Sequence, residues 1–222
     1  MLDVLYEDNH LIVINKQSGD IVQGDKTGDK PLGGFVKDYL REKYNKPGNI
    51  FCGLIHRLDR PVSGIVIFAK TSKALARMNE MFREKTIQKT YWAIVEKEPN
   101  NAEGRLEHYL LKNQQKNKSR AFLKPEGKAL KAILDYKLLK KLDRYSLLEV
   151  KPITGRHHQI RVQLASMSCI IKGDLKYGAR RSNKDASICL HARQIDFVHP
   201  IKKEAIRIIA PSPKDSLWDA CL

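Results

Sequence analysis

Residues 53–70 read GLIHRLDRPVSGIVIFAK. The apolar, β-branched run 65–69 has the look of a buried strand, and Pro61 and Gly64 punctuate its approach. Proline fixes φ and glycine admits angles that other residues avoid, so the approach is a turn of defined shape. On that turn stand His56, Arg57, Asp59 and Arg60, a single carboxylate among cations. Loops held by a rigid sheet often carry function. A lone Asp beside Arg is most often just a surface ion pair, so both readings stay open for the turn alone.

Outward from that strand, the chain alternates short apolar runs with turns. Residues 11–14 are a strand ending in the turn NKQSG (15–19), and 15–34 read as a loop rich in Gly, Asp and Lys. Phe35, Val36, Tyr39 and Leu40 are spaced as one helix face, which PGN at 47–49 ends. Ser72 is placed to cap a helix whose stripe is Leu75, Met78 and Phe82. Strands are expected at 91–95, 133–139 and 145–150, with turns at PNNAEG (99–104) and KKLDR (140–144). A helix is expected from Thr154 to Met167, with Ile160, Leu164 and Met167 on its apolar face. Strands at 188–198 and 206–209 flank HPIKKE, and PSPKD (211–215) ends regular structure. The basic stretch Lys112 to Lys131 reads as a mobile loop or a hairpin. Hairpin-like connections dominate the second half, and no regular βα repeat occurs. That pattern is the α+β class.

The chain has 222 residues, enough to bury a core as a single domain, 1–222. Its 41 Lys and Arg against 25 Asp and Glu give a formal charge of +16. The isoelectric point of about 9.7 points to a polyanion partner. Cysteines at 52, 169, 189 and 221 form no CxxC pair, which argues against a zinc ribbon or a redox dithiol. Free thiols suit a reducing cytoplasm. No apolar run approaches the ~18 residues that a membrane helix needs, and the N-terminus shows no signal-peptide pattern. The expectation is a cytoplasmic monomer without a metal.

Two further segments stand out. In KPITGRHHQIRVQLA (151–165), Gly155, Arg156, His157, His158, Gln159 and Arg161 crowd the start of a helix. A helix N-terminus with added arginines is an anion receptor, for a phosphate or for the carboxylate of Asp59. Adjacent histidines point in different directions on a helix, which argues against a metal pair. In KTYWAIV (89–95), alternation puts Tyr91 and Ala93 on one face and Trp92 and Ile94 on the other, so that one aromatic faces a cleft.

These segments together resemble the RluA family of RNA pseudouridine synthases. NKQSG resembles the family's NKPxG, HRLDRPVSG its HRLDxxTSG, KTYWAIV its KxYxAxV and TGRHHQIR its TGRxHQIR. KGDLKYG (172–178) and LHARQIDFVHP (190–200) resemble GDxxYG and LHAxxLxFxHP. The matches come in family order over nearly the whole chain. Val62 stands where Thr is usual and Gln17 where Pro is usual, and neither departure touches the carboxylate. The resemblance implies a single catalytic domain without a preceding S4 domain, built on a central, mainly antiparallel mixed sheet with an RNA-binding cleft. It implies isomerisation of uridine to pseudouridine in structured RNA, ribosomal or transfer, with no cofactor.

By the same resemblance, Asp59 is the nucleophile, and Tyr91 and Arg161 complete the catalytic set. Arg57 helps to hold RNA with the target base displaced. Arg60 and Arg156 are further RNA-contact candidates. His56 and His158 either touch RNA or hold the segments that do. A carboxylate can attack C1′ as in glycosidases, or remove a ribose proton to give a glycal. Either role needs it ionised, which a neighbouring guanidinium favours. An RNA-binding protein without activity would explain the charge but not Asp59 with Tyr91 and Arg161. A base-excising glycosylase would release free uracil.

Overall fold

In the computed structural model, the run that follows the Asp59 turn is a strand buried along its whole length. The structure describes residues 2–24, 28–45 and 47–222, so residues 25–27 of the expected 15–34 loop lie outside the described residues. In chain order the elements are β1 (Val4–Glu7), β2 (Leu11–Lys16), α1 (Leu32–Tyr44), β3 (Gly53–Leu54), β4 (Ser63–Ala69), α2 (Ser72–Glu84), β5 (Gln88–Val95) and β6 (Glu103–Asn113). They continue with β7 (Lys118–Phe122), β8 (Leu130–Lys141), β9 (Ser146–Pro152), α3 (Gln159–Ser166), a 3-10 turn (Leu175–Tyr177), β10 (Leu190–Val198), β11 (Ala205–Ile209) and α4 (Ser216–Cys221). This is an α+β chain, as expected. It forms two units: Met1–Gln88 with Ala192–Pro213, and Lys89–His191 with Lys214–Leu222.

The first unit is built on the order β1-β2-β4-β10, with β3 on β4 and β11 on β10. β2 and β4 are buried at every position, which is why 11–14 and 65–69 read as unbroken apolar runs rather than alternations. They pair antiparallel from Leu11 opposite Ala69 to Lys16 opposite Gly64. This register delivers the end of β2 to the Asp59 turn. Helix α1 starts three residues before Phe35 and buries Leu32, Val36 and Leu40, a stripe at i, i+4, i+8. That stripe leaves Phe35 exposed, against the expected face. The helix stops at Asn45 in the left-handed region, ahead of PGN. The cap of α2 is Thr71, not Ser72: its Oγ1 accepts from the Ala74 amide at 3.2 Å.

The second unit has the order β5-β9-β8-β6-β7. β6 was not foreseen. The basic stretch resolves as a hairpin, with Asn113 opposite Lys118. α3 is shorter than expected. It begins at Gln159, because His158 adopts a left-handed φ of 55° and cannot continue a helix backwards to Thr154. The TGRHH segment is instead a loop fixed by Gln159, whose Oε1 accepts from Thr154 Oγ1 at 2.7 Å and the Arg156 amide at 3.0 Å. Regular structure also does not end at PSPKD. Asp215 caps α4 by accepting from the Leu217 amide at 2.8 Å, and Trp218 and Cys221 bury its inner side.

Candidate active site

Asp59 lies half-buried between β3 and β4. Its carbonyl accepts from the Val62 amide at 3.0 Å, closing the turn. Lys16, at the end of β2, has a fully buried side chain. Its ammonium donates to the carbonyls of Gln17 at 2.9 Å, Arg60 at 3.1 Å and Val62 at 2.6 Å. Three donors meet three acceptors, so the ammonium is satisfied without a carboxylate in its first ring of partners. Burial pulls the Lys16 pKa down to about 8, against the opposing charges of Asp20 and Asp59. The Gly19 amide also donates to Arg60 O at 2.9 Å, and Ser18 Oγ to Pro61 O at 3.3 Å. The NKQSG segment therefore clamps the HRLD turn through its backbone. Gly64 closes the assembly with φ +109°. A Cβ there would lie 2.4 Å from the Ala192 carbonyl oxygen, so no other residue fits.

The neighbours of Asp59 divide into anchors and exposed cations. His56 Nε2 accepts from the Ile67 amide at 3.2 Å, and its ring stacks on Phe82 at 5.1 Å. These contacts fix the chain just before the turn. Arg57 is exposed and donates to Gln23 Oε1 at 3.2 Å. Arg60 is exposed and pairs with Asp29 at 2.9 Å.

In the second unit, Tyr91 is half-buried on β5, opposite Val150 of β9. Arg161 is on the first turn of α3 and only 5 % exposed. It forms a fork with Asp174, Nε to Oδ2 at 2.7 Å and a terminal nitrogen to Oδ1 at 2.8 Å. Its guanidinium also sits 5.2 Å from the centre of the Tyr177 ring. The Tyr177 hydroxyl accepts from the Ser119 amide at 2.9 Å and bonds His158 Nδ1 at 2.9 Å. One aromatic thus connects Arg161, the β6–β7 hairpin and the residue before α3. His158 is buried and stacked on His157, with ring centres 3.8 Å apart. Arg156 is exposed, its Nε donating to Lys131 O at 3.1 Å.

Sequence reasoning missed Lys16 and Asp174. Each had a signal: a lysine two places past the apolar run LIVI, and a lone Asp in the GDLKYG turn. Neither signal shows burial, which is what gives both residues their weight. The chemical groups offered are then a carboxylate on a rigid turn in one unit, and a phenol and a pre-ordered guanidinium in the other. Thiolate chemistry is disfavoured, since burial pushes Cys52, Cys169 and Cys189 up to about 11. Among the described residues, no cluster of three or more His, Cys, Asp or Glu could hold a metal ion. No helix among them is long and apolar enough to cross a membrane.

Known proteins share this chain's pattern. The RNA pseudouridylate synthase family model matches residues 10–166. Ribosomal large subunit pseudouridine synthase C of Buchnera aphidicola subsp. Baizongia pistaciae is 36% identical over 216 residues, covering 94% of this chain and 66% of the relative. The tRNA pseudouridine synthase C of Vibrio parahaemolyticus is 33% identical over 235 residues, covering 98% of this chain and 92% of the relative. The chain thus spans about two thirds of the length of the ribosomal relatives and nearly all of the transfer-RNA one. Among solved structures, human RNA pseudouridylate synthase domain containing 4 superposes with a TM-score of 0.81 at 24% identity, over 96% of this chain and 89% of that one, and so shares the fold. By its sequence, this chain belongs to the RNA pseudouridylate synthase family.

Proposed function

We propose that residues 1–222 act as one catalytic domain, a monomer that isomerises uridine to pseudouridine in ribosomal or transfer RNA. Family membership supports the reaction, and the matched region, 10–166, runs through both units. The observation that carries the reading is the Asp59 turn. Its carbonyls are gripped by a buried ammonium and its shape is enforced by Gly64, an outlay of buried polar structure that a surface ion pair does not need.

Asp59 is the nucleophile. Its carboxylate attacks C1′ as the N1–C1′ bond breaks, and the electron pair leaves with uracil. The base turns, C5 attacks C1′ and displaces the carboxylate, and the C5 proton departs. Tyr91 relays that proton. Arg161, ordered by Asp174, stabilises the charge that develops as the bonds exchange. A uridine in a stem must first be flipped out, which costs a few kcal/mol. Arg57, Arg60 and Arg156, all exposed, offset that cost by holding flanking phosphates, while His56 and His158 brace the segments that carry them. The unpaired state of the four cysteines supports a reducing cytoplasm as its place of work.

The test is tritium release from RNA labelled at uridine C5, with wild type and Asp59→Asn on transcripts of tRNA and of large-subunit ribosomal RNA. Wild type should release tritium with the RNA mass unchanged, and Asp59→Asn should lose at least ~1,000-fold in rate, the scale of losing a covalent catalyst. Equal release by both would remove Asp59 from the reaction. A primary isotope effect from deuterium at C2′ would make Asp59 a base rather than a nucleophile.

A further inference from the structure

The second unit holds a cavity of about 920 Å³ that the catalytic reading does not use. Five cations line it, Lys97, Arg144, Lys172, Arg180 and Arg181, against the carboxylates Glu96 and Asp143. Among the described residues, no ion pair engages Lys97, Arg144, Arg180 or Arg181. Glu96 does not cancel them. Its carboxylate accepts from the backbone amide of Arg180 at 3.2 and 3.4 Å, so it shapes the loop and leaves the guanidinium outside.

That loop is built rather than merely exposed. The Lys172 amide donates to Ile94 O at 2.9 Å, and the Glu96 amide to Ile170 O at 2.8 Å, which lays its root along β5. Lys172 Nζ bonds Asn183 Oδ1, and Asn183 Nδ2 donates to Ser187 Oγ at 3.0 Å, which folds the loop back. Gly173 stands at φ +87°, where a Cβ would lie 2.7 Å from Ser187 O. A fixed concave wall with net positive charge focuses the field on an anion. The space exceeds what a single phosphate fills, and Tyr145 adds an aromatic face to it. Five residue steps of ~3.3 Å, along β5 and one past its end, put the backbone of Glu96 on the cavity wall about 16 Å from that of Tyr91. An RNA strand covers that distance in a few nucleotides.

We propose that this cavity is a second RNA subsite, which takes the sugar-phosphate backbone a few nucleotides from the reacting uridine on Arg144, Arg180 and Arg181 and stacks a base on Tyr145. The proposal rests on the RNA-modifying reading of the protein. It is tested with the exposed-residue variant Arg180→Gln/Arg181→Gln, measuring RNA affinity against salt and single-turnover rates at saturating RNA, with the same tRNA and ribosomal transcripts.

The double variant should bind about 10- to 100-fold more weakly at 0.15 M salt. The slope of log K against log salt should fall by about 1.4–1.8, for two phosphate contacts. Its rate at saturating RNA should stay within about twofold of wild type. Tyr145→Ala should weaken binding about tenfold while leaving the slope unchanged, as lost stacking does. Unchanged affinity and slope in the double variant would overturn the subsite, as would a wild type that binds no RNA. Saturation by inorganic phosphate, with RNA binding indifferent to the double variant, would reassign the cavity to a small anion. A wild type that binds RNA but converts no uridine, beside a weakened double variant, would leave the subsite standing and remove the isomerase reading instead.

Discussion

Among the described residues, two Lys or Arg side chains are buried, Lys16 and Arg161, and they are held in opposite ways. Lys16 in the first unit is met by three neutral carbonyls, Arg161 in the second by the two oxygens of Asp174. The difference follows from the side chains. Lysine can shed its proton, and burial has already drawn its pKa to about 8, so backbone dipoles suffice. A guanidinium stays charged at any ordinary pH, so a buried one calls for a counter-charge. Lys16 therefore serves the backbone of the Asp59 turn, whereas Arg161 is a charge held ready for use.

The comparison is broken most forcefully at Asp174. Asp174→Ala removes the two-oxygen fork from a buried guanidinium and should cost about 3–5 kcal/mol in urea unfolding. Arg161→Met/Asp174→Leu should recover most of that stability while turnover stays lost; if the double replacement is no better than the single one, the pair is not held as argued. Lys16→Met comes next. It removes a charge and takes one donor from three carbonyls, of which Arg60 O keeps the Gly19 amide and Gln17 O the Asp20 amide, so the loss should be smaller, about 1–3 kcal/mol. Turnover should drop further than the loss of folded protein explains, because the Asp59 turn is released. A Lys16→Met variant less stable than Asp174→Ala would reverse the ranking.

Third is a pH effect that only the lysine can show. Its folded pKa of about 8 lies below the unfolded 10.5, so between those values the unfolded chain binds more protons. Stability from this group therefore rises as pH goes from 8 to 10.5, by at most ~1.4 kcal/mol per pH unit. Cys52, Cys169 and Cys189, with thiols pushed up to about 11, lower stability above pH 9 in both proteins, so the lysine shows as a wild-type advantage in urea midpoint over Lys16→Met that grows across that window. A parallel course in the two would place the proton elsewhere. The smallest effect lies outside both sites: Thr71→Ala should cost about 1 kcal/mol through its lost cap, and Ser72→Ala within ~0.5 kcal/mol.

How much was legible follows from burial. β2 and β4 were readable because both faces are covered, which confines polar residues to one end of each strand, Asn15 and Lys16 in β2 and Ser63 in β4. β6 was not, because its residues are mostly half-buried or exposed and its partners are charges: Arg105 faces Asp135 across β8 and pairs with it at 2.7 Å. Single-chain patterns do not show such cross-strand pairing. The start of α3 was misplaced because nothing in TGRHH announces that His158 takes a left-handed angle. Asp59, Tyr91 and Arg161 came from motif order, whereas Lys16 and Asp174 act through what surrounds them.

The first unit is discontinuous: its opening stretch ends at Gln88 and its last strands begin at Ala192. During synthesis, β4 must therefore wait for β10, its neighbour in the sheet, while roughly a hundred residues are added. At ~5–20 residues per second that is about 5–20 s. Throughout that interval a largely apolar strand has the part of one edge that β3 does not cover open on the ribosome. The gap left by Gly64 closes only when the Ala192 backbone arrives. Nascent chains arrested between these points should be the most dependent on chaperones, so the turn that carries Asp59 matures among the last parts of the molecule.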